Sequence, residues 1–131
     1  MQPSHRLGEL QHAIMSVLWR RGEASVAEVQ RDLESEHPRA LTTIATMLVK
    51  LEKKGVCSHR TEGRQFIYRA TVSEDEVRRT MVSELTSKLF EGDASALVAH
   101  LLREEEFEPQ DLARLKRWIA QREREERRGN D

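Results

Sequence analysis

The chain is almost without the residues that staple or punctuate a small protein. Its 131 residues include one cysteine, three prolines and six glycines, and aromatic side chains make up only 5%. The lone Cys57 excludes an intramolecular disulfide and points to a reducing compartment, the cytoplasm. No apolar run approaches the roughly 20 residues of a membrane span, and the first residues lack the apolar core of a signal peptide. Neither a glycine-framed nucleophile nor a phosphate-cradling glycine loop occurs, so no enzymatic activity is expected and no cofactor is implied. Cys57 and His59 would fall on the same side of a strand, as two metal ligands might. No second pair with ligand spacing accompanies them, so the expectation is no metal site.

What the chain does have is charge and helical periodicity. Charged residues make up 34% and hydrophobic residues 37%, the composition of a highly charged helical protein. A net charge of -1 conceals an uneven distribution. Residues 1–72 hold 11 Lys and Arg against 8 Asp and Glu, whereas residues 73–131 hold 11 against 15. Within 39–69, Arg39, Lys50, Lys53, Lys54, Arg60, Arg64 and Arg69 face only Glu52 and Glu62, a local basic excess that could draw a polyanion to one surface.

In "LGELQHAIMSVLWRRG", Leu10, Ala13, Ile14, Val17 and Leu18 recur as the stripe of an amphipathic helix, stopped by Gly22. Ser25 and Glu28 have capping-box spacing and start a second helix, which Pro38 ends by disfavouring helical geometry in His37. "ALTTIATMLVKLEKKG" is the third, closed by Lys53, Lys54 and Gly55. The runs Val56–Arg60 and Gln65–Ala70 flank a turn containing Gly63 and read as a β-hairpin. Three helices and a hairpin match a winged helix-turn-helix over residues 1–72. From 73 to 131 the pattern is helical only, ending in the charged tail "QREREERRGND", expected to fray. Ser73 and Glu76 cap a helix with Val77, Met81, Leu85 and Leu89 on one seam; Leu97 and Leu101, then Leu112, Leu115, Trp118 and Ile119, continue the apolar pattern. So small a unit makes a poor core alone and reads as half of a homodimer interface, giving a mostly α fold with a small β wing and a C-terminal three-helix dimerisation region.

On a helical wheel Ile44, Met47, Leu48 and Leu51 form the buried sector of the third helix. Opposite lie Thr42, Thr46, Val49 and Lys53, flanked by Thr43, Ala45 and Lys50. Such a face is a solvated surface or one that meets a major groove, where threonine offers a hydroxyl and a methyl to base edges and lysine meets phosphate. Arg60 and Arg64 around the hairpin turn, where a wing would reach the adjacent backbone, favour DNA. His100, in an apolar helix, reads as a packed or interface residue.

"LGELQHAIMSVLW", "SVAEVQRDL", "TTIATMLVKLEKKG", "GRQFIYRA" and "SALVAHLL" together resemble the penicillinase-repressor family of bacterial transcription regulators, over roughly residues 6 to 120. The resemblance implies a homodimeric repressor whose winged helices bind a palindromic operator, with Thr43, Thr46 and Lys50 facing the DNA. It also implies relief when a membrane sensor metallopeptidase signals and the C-terminal region is cut; the matching bond is His100–Leu101, where the best-studied members have asparagine followed by phenylalanine. A copper-sensing branch carries paired cysteine motifs at its C-terminus, and no cysteine follows Cys57. Two other readings remain open at this level: a winged-helix adaptor for protein partners, and an effector-responsive regulator without proteolytic control.

Overall fold

The computed structural model describes residues 7–129. Its elements run α1 (Glu9–Arg21), β1 (Ala24–Ser25), α2 (Val26–Leu33), α3 (Leu41–Lys53), β2 (Cys57–Glu62), β3 (Gln65–Ala70), α4 (Glu74–Phe90), α5 (Ala94–Glu104) and α6 (Pro109–Gly129). They fall into two compact units, residues 1–85 and 86–131, here the head and the arm, with the division inside α4.

Local sequence signals start and stop the head's helices. Gly22 takes φ 88°, and its N–H donates to the Leu18 carbonyl at 2.8 Å, which ends α1. The Glu28 N–H donates to Ser25 Oγ at 3.2 Å while the Ser25 N–H donates to Glu28 Oε1 at 2.9 Å, the reciprocal cap expected from the sequence. Ser25 also belongs to β1, which pairs antiparallel with β3 through Ala24 with Tyr68 and Ser25 with Ile67. This strand was not anticipated: two residues carry no alternation, and one of them is already used as a helix cap. The sheet order is therefore β1-β3-β2, a hairpin plus one short strand. Gly63 takes φ 62° at the first of the two residues between β2 and β3, a conformation that would strain any side chain bearing a Cβ.

The core is shared by every element of the head. Ile14, Val17 and Leu18 of α1, Val29 of α2 and Ile44, Leu48 and Leu51 of α3 are fully buried, and Met47 packs against them half-buried. Trp19 Nε1 donates to the Val72 carbonyl at 2.9 Å, tying α1 to the end of the wing. The core then reaches into α4, where Val77 is 1% exposed and Met81 packs on the same cluster. The first half of the expected dimer seam is thus occupied within the head, because a four-residue spacing marks a buried face without naming its partner. Helices 1 to 3 with the three-stranded wing form a winged helix-turn-helix.

The arm is built differently. Asp93 caps α5 by accepting from the Ala96 N–H at 3.0 Å, and Pro109 opens α6. No residue of α5 or α6 is buried. Residues 121–129 of the charged tail continue α6 to Gly129, laced by Arg122 with Glu126 at 3.3 Å and Gln121 with Glu125 at 3.3 Å, while its last two residues, Asn130 and Asp131, lie outside the described residues.

Candidate nucleic-acid interface

α3 is anchored on one side by Ile44, Leu48 and Leu51, and that anchoring fixes what it turns outward. Thr42, Thr43, Thr46, Lys50 and Lys53 are all exposed. Among the described residues Lys50 and Lys53 have no carboxylate partner, and neither does Arg64 at the tip of the wing. Three cations thus stand free around a strip of threonines, which is the chemistry a phosphate backbone and base edges select.

The other two expected cations are engaged elsewhere. Lys54 turns back to α1, where its Nζ donates to Gln11 Oε1 at 2.8 Å. Arg60 donates to Glu62 at 2.6 Å and to Glu23 at 2.8 Å. These bonds raise the Arg60 pKa, and the bond to Arg60 lowers that of Glu23. The charge of Arg60 is matched twice over, and Glu23, far away in sequence and next to β1, could not have been assigned to it by counting local charges. Arg60 braces the wing strands to the α1–β1 corner.

A second brace joins the wing to α3. His59 Nδ1 lies 2.6 Å from Glu52 Oε1, and its ring stacks on Phe66 at 4.2 Å between centroids, with Tyr68 at 5.3 Å. Behind it, Cys57 is 2% exposed with its Sγ donating to the Leu48 carbonyl at 3.8 Å; burial, helped by Glu52, pushes its pKa up to about 12. A thiol so placed is a small core residue rather than a reactive one. Its neighbour His59 faces Glu52 and Phe66, so the two side chains serve different contacts. No group of three or more His, Cys, Asp or Glu that could hold a metal is found among the described residues. Nor is any helix among them long and apolar enough to cross a membrane.

Sequence periodicity placed Val49 on this surface but missed Leu41 and Phe66. Leu41 is 47% exposed, Val49 45% and Phe66 46%, large apolar side chains beside the threonines and lysines. Leu41, Thr42 and Ala45 face Val26, Ala27, Arg64 and Phe66 across an open groove of about 410 Å³.

In the arm, Leu112, Leu115, Trp118 and Ile119 of α6 line an apolar cleft of about 540 Å³ with Val98 and Leu102 of α5. Leu89 is 67% exposed, Trp118 56% and Ile119 58%, with Leu101 and Leu112 just above 40%; Leu85, where the head ends, is 42% exposed. Leu97 is half-buried. Among these, Val98 and Leu102 extend the set expected from spacing, to which Trp118 already belonged. The His100–Leu101 bond lies inside α5, with the His100 ring 5.7 Å from that of Phe90.

Known proteins resemble this chain. The family profile described as penicillinase repressor matches residues 7–121. The penicillinase repressor of Bacillus licheniformis is 24% identical over 115 residues, 88% of this chain and 90% of that one. The transcriptional regulator BlaI of Mycobacterium tuberculosis is 32% identical over 99 residues, 74% of this chain and 72% of its own length. A solution structure of the DNA binding domain of the repressor BlaI superposes with a TM-score of 0.52 at 30% identity, over 58% of this chain and 93% of that domain.

Proposed function

Because the chain belongs to the penicillinase repressor family, and is a DNA-binding transcriptional repressor of that type, we propose that it works as a homodimer whose two heads each read half of a palindromic operator. The observation that carries this reading is the outward face of α3, where Thr42, Thr43, Thr46, Lys50 and Lys53 are exposed while Ile44, Leu48 and Leu51 lock the helix to the core. In this reading the N-terminal half of α3 enters the major groove, the threonines meet base edges, and Lys50, Lys53 and Arg64 meet phosphates. Arg60 and Lys54 hold the frame that aims them.

One head makes too few phosphate contacts to hold DNA tightly at cellular salt, and two joined heads multiply the affinity through effective concentration. The arm does the joining. Its exposed Leu89, Leu101, Leu112 and Ile119, with the half-buried Leu115, are the apolar surface that a second copy would cover. Functionally, residues 1–72 read DNA and 73–131 set oligomeric state, although Val77 and Met81 also support the head. Release follows from any event that spoils the arm, in the first place a cut at His100–Leu101 by a membrane sensor metallopeptidase or another protease. Since that bond is helical, the protease must first unwind α5 locally. As a repressor it acts in the cytoplasm, where its DNA is.

The test is a gel-shift titration of the full chain on the region upstream of its own gene across a salt series. The expected result is a strong preference over random DNA that falls steeply with salt. Equal affinity for both DNAs overturns the repressor reading and leaves the fold as an adaptor for protein partners.

A further inference from the structure

Leu41, Ala45 and Val49 recur every fourth residue along the side of α3 that looks toward the wing, and Phe66 of β3 closes that side. Thr42, Thr46 and Lys53 lie next to this strip on the outward face. The reading face therefore has two chemistries side by side, one of hydroxyls and ammonium groups and one of hydrocarbon.

Single exposed apolar side chains are ordinary, but here Leu41 and Phe66, each close to half exposed, gather with Ala45 around one groove of about 410 Å³. No carboxylate lines it, and Arg64 stands at its lip. An arginine beside a hydrocarbon wall on the groove-entering end of a recognition helix suits a polyanion that also presents an apolar group. In the major groove that group is the 5-methyl of thymine; the other base-edge groups there are hydrogen-bond donors and acceptors. Leu41 is the first residue of α3, in the end of the helix that goes deepest when such a helix docks.

We propose that Leu41, Ala45 and Phe66 form a thymine-methyl pocket that makes this repressor select A·T pairs at a set position in each half-site. It rests on the operator-binding reading above and deepens it. The wing takes part in base readout through Phe66, and the His59 and Glu52 brace gains a role, since it holds Phe66 against α3 at the right spacing. His59 is accordingly a positioning residue, acting on DNA only through the ring it stacks upon.

The upstream duplex is amplified twice, once with thymidine and once with deoxyuridine, which differs by the methyl alone. Burying one methyl is worth about a fourfold change in affinity, so two half-sites predict roughly sixteenfold weaker binding of the deoxyuridine duplex by the full-length protein. Leu41→Ala and, separately, Phe66→Ala bind the thymidine duplex more weakly but narrow the difference between the two duplexes, with an unaltered salt slope. Both side chains are half exposed and outside the core cluster, so the variants keep the far-ultraviolet dichroism of the parent. Equal binding of the two duplexes by the parent overturns the pocket while leaving the repressor reading intact. An undiminished thymidine preference in both variants overturns it as well, since the methyl would then be read elsewhere. No preference for the upstream duplex over random DNA overturns both readings at once.

Discussion

Leu48 and Leu89 are both leucines on the apolar stripe of an amphipathic helix, yet Leu48 is fully buried and Leu89 is 67% exposed. The contrast extends to the whole of each unit. Among the described residues every buried apolar side chain lies at or before Val77, and α5 and α6 bury none. The head closes its own core from three helices, a small sheet and the first turns of α4. The arm has similar hydrophobic spacing but only two helices and part of a third to cover it. Equal sequence patterns therefore end in opposite states: one surface is covered within the chain and the other stays exposed.

The most severe way to break this comparison is to delete the same atoms in both units. Leu48→Ala should destabilise the head by about 3 kcal/mol, the transfer loss plus a cavity. Leu89→Ala should cost within about 0.5 kcal/mol in a dilute sample below the dimer dissociation constant, as for other exposed positions. Chemical denaturation of the two variants side by side checks this, and equal losses would mean that Leu89 is already packed in the single chain.

The next largest effect concerns partnership. Ile119→Asp puts a charge on the exposed apolar surface of α6, and the full chain should then sediment as a monomer with operator affinity lowered on the order of a hundredfold. A fragment of residues 1–85, which keeps Val77 and Met81, should melt as the head does in the full chain. A fragment cut at 72 should be less stable, since it loses both side chains from the core cluster. A dimeric Ile119→Asp variant would move the interface away from this face.

Much of the head could be read directly from sequence because its signals are local. The capping pair Ser25 and Glu28, the stop at Gly22 and the stripe on α3 each concern residues within a turn or two of one another. What could not be read depends on distance. The bond from Arg60 to Glu23 joins the wing to the α1–β1 corner, and the bond from Lys54 to Gln11 joins α3 to α1, so both cations have partners within the head that local spacing does not reveal. The seam from Val77 to Leu89 was seen as one surface, but the fold divides it, because periodicity reports that a face is buried and not by what. The apolar half of the reading face was only partly seen for a related reason: the wheel put Val49 outward but gave it no role, and Leu41 and Phe66 count as hydrophobic, to which periodicity assigns no role outside the core.

Charge offers a smaller test, inside the head. Lys50→Ala removes an unpaired cation and should lower the slope of log affinity against log salt by about one per head. Arg60→Ala removes a cation already matched by two carboxylates. It should leave that slope nearly unchanged while lowering the melting temperature slightly. If the two variants shift the slope equally, Arg60 leaves Glu23 and Glu62 when DNA arrives.

The smallest effect is the response of the head to acid. Arg21 donates to Asp32 at 2.7 and 2.9 Å and to Glu28 at 3.0 Å, clamping α1 to α2. The bond from Arg21 holds the Asp32 carboxyl below its usual range, and the Ser25 backbone does the same for Glu28. A carboxyl whose folded pKa is depressed contributes stability that is fully present above its unfolded value, about 4, and is lost as pH falls through the lower folded value. The melting temperature of the 1–85 fragment should therefore hold steady above about pH 5 and fall below it. Asp32→Asn should make that fall shallower without abolishing it, because Glu28 and Glu23 still titrate. Asp32 is half-buried and Glu28 more exposed, and both still meet solvent, so screening limits the effect and added salt should reduce it further. An identical acid profile in Asp32→Asn would mean that packing between α1 and α2, and not the Arg21 clamp, sets the angle at which α2 supports the reading helix.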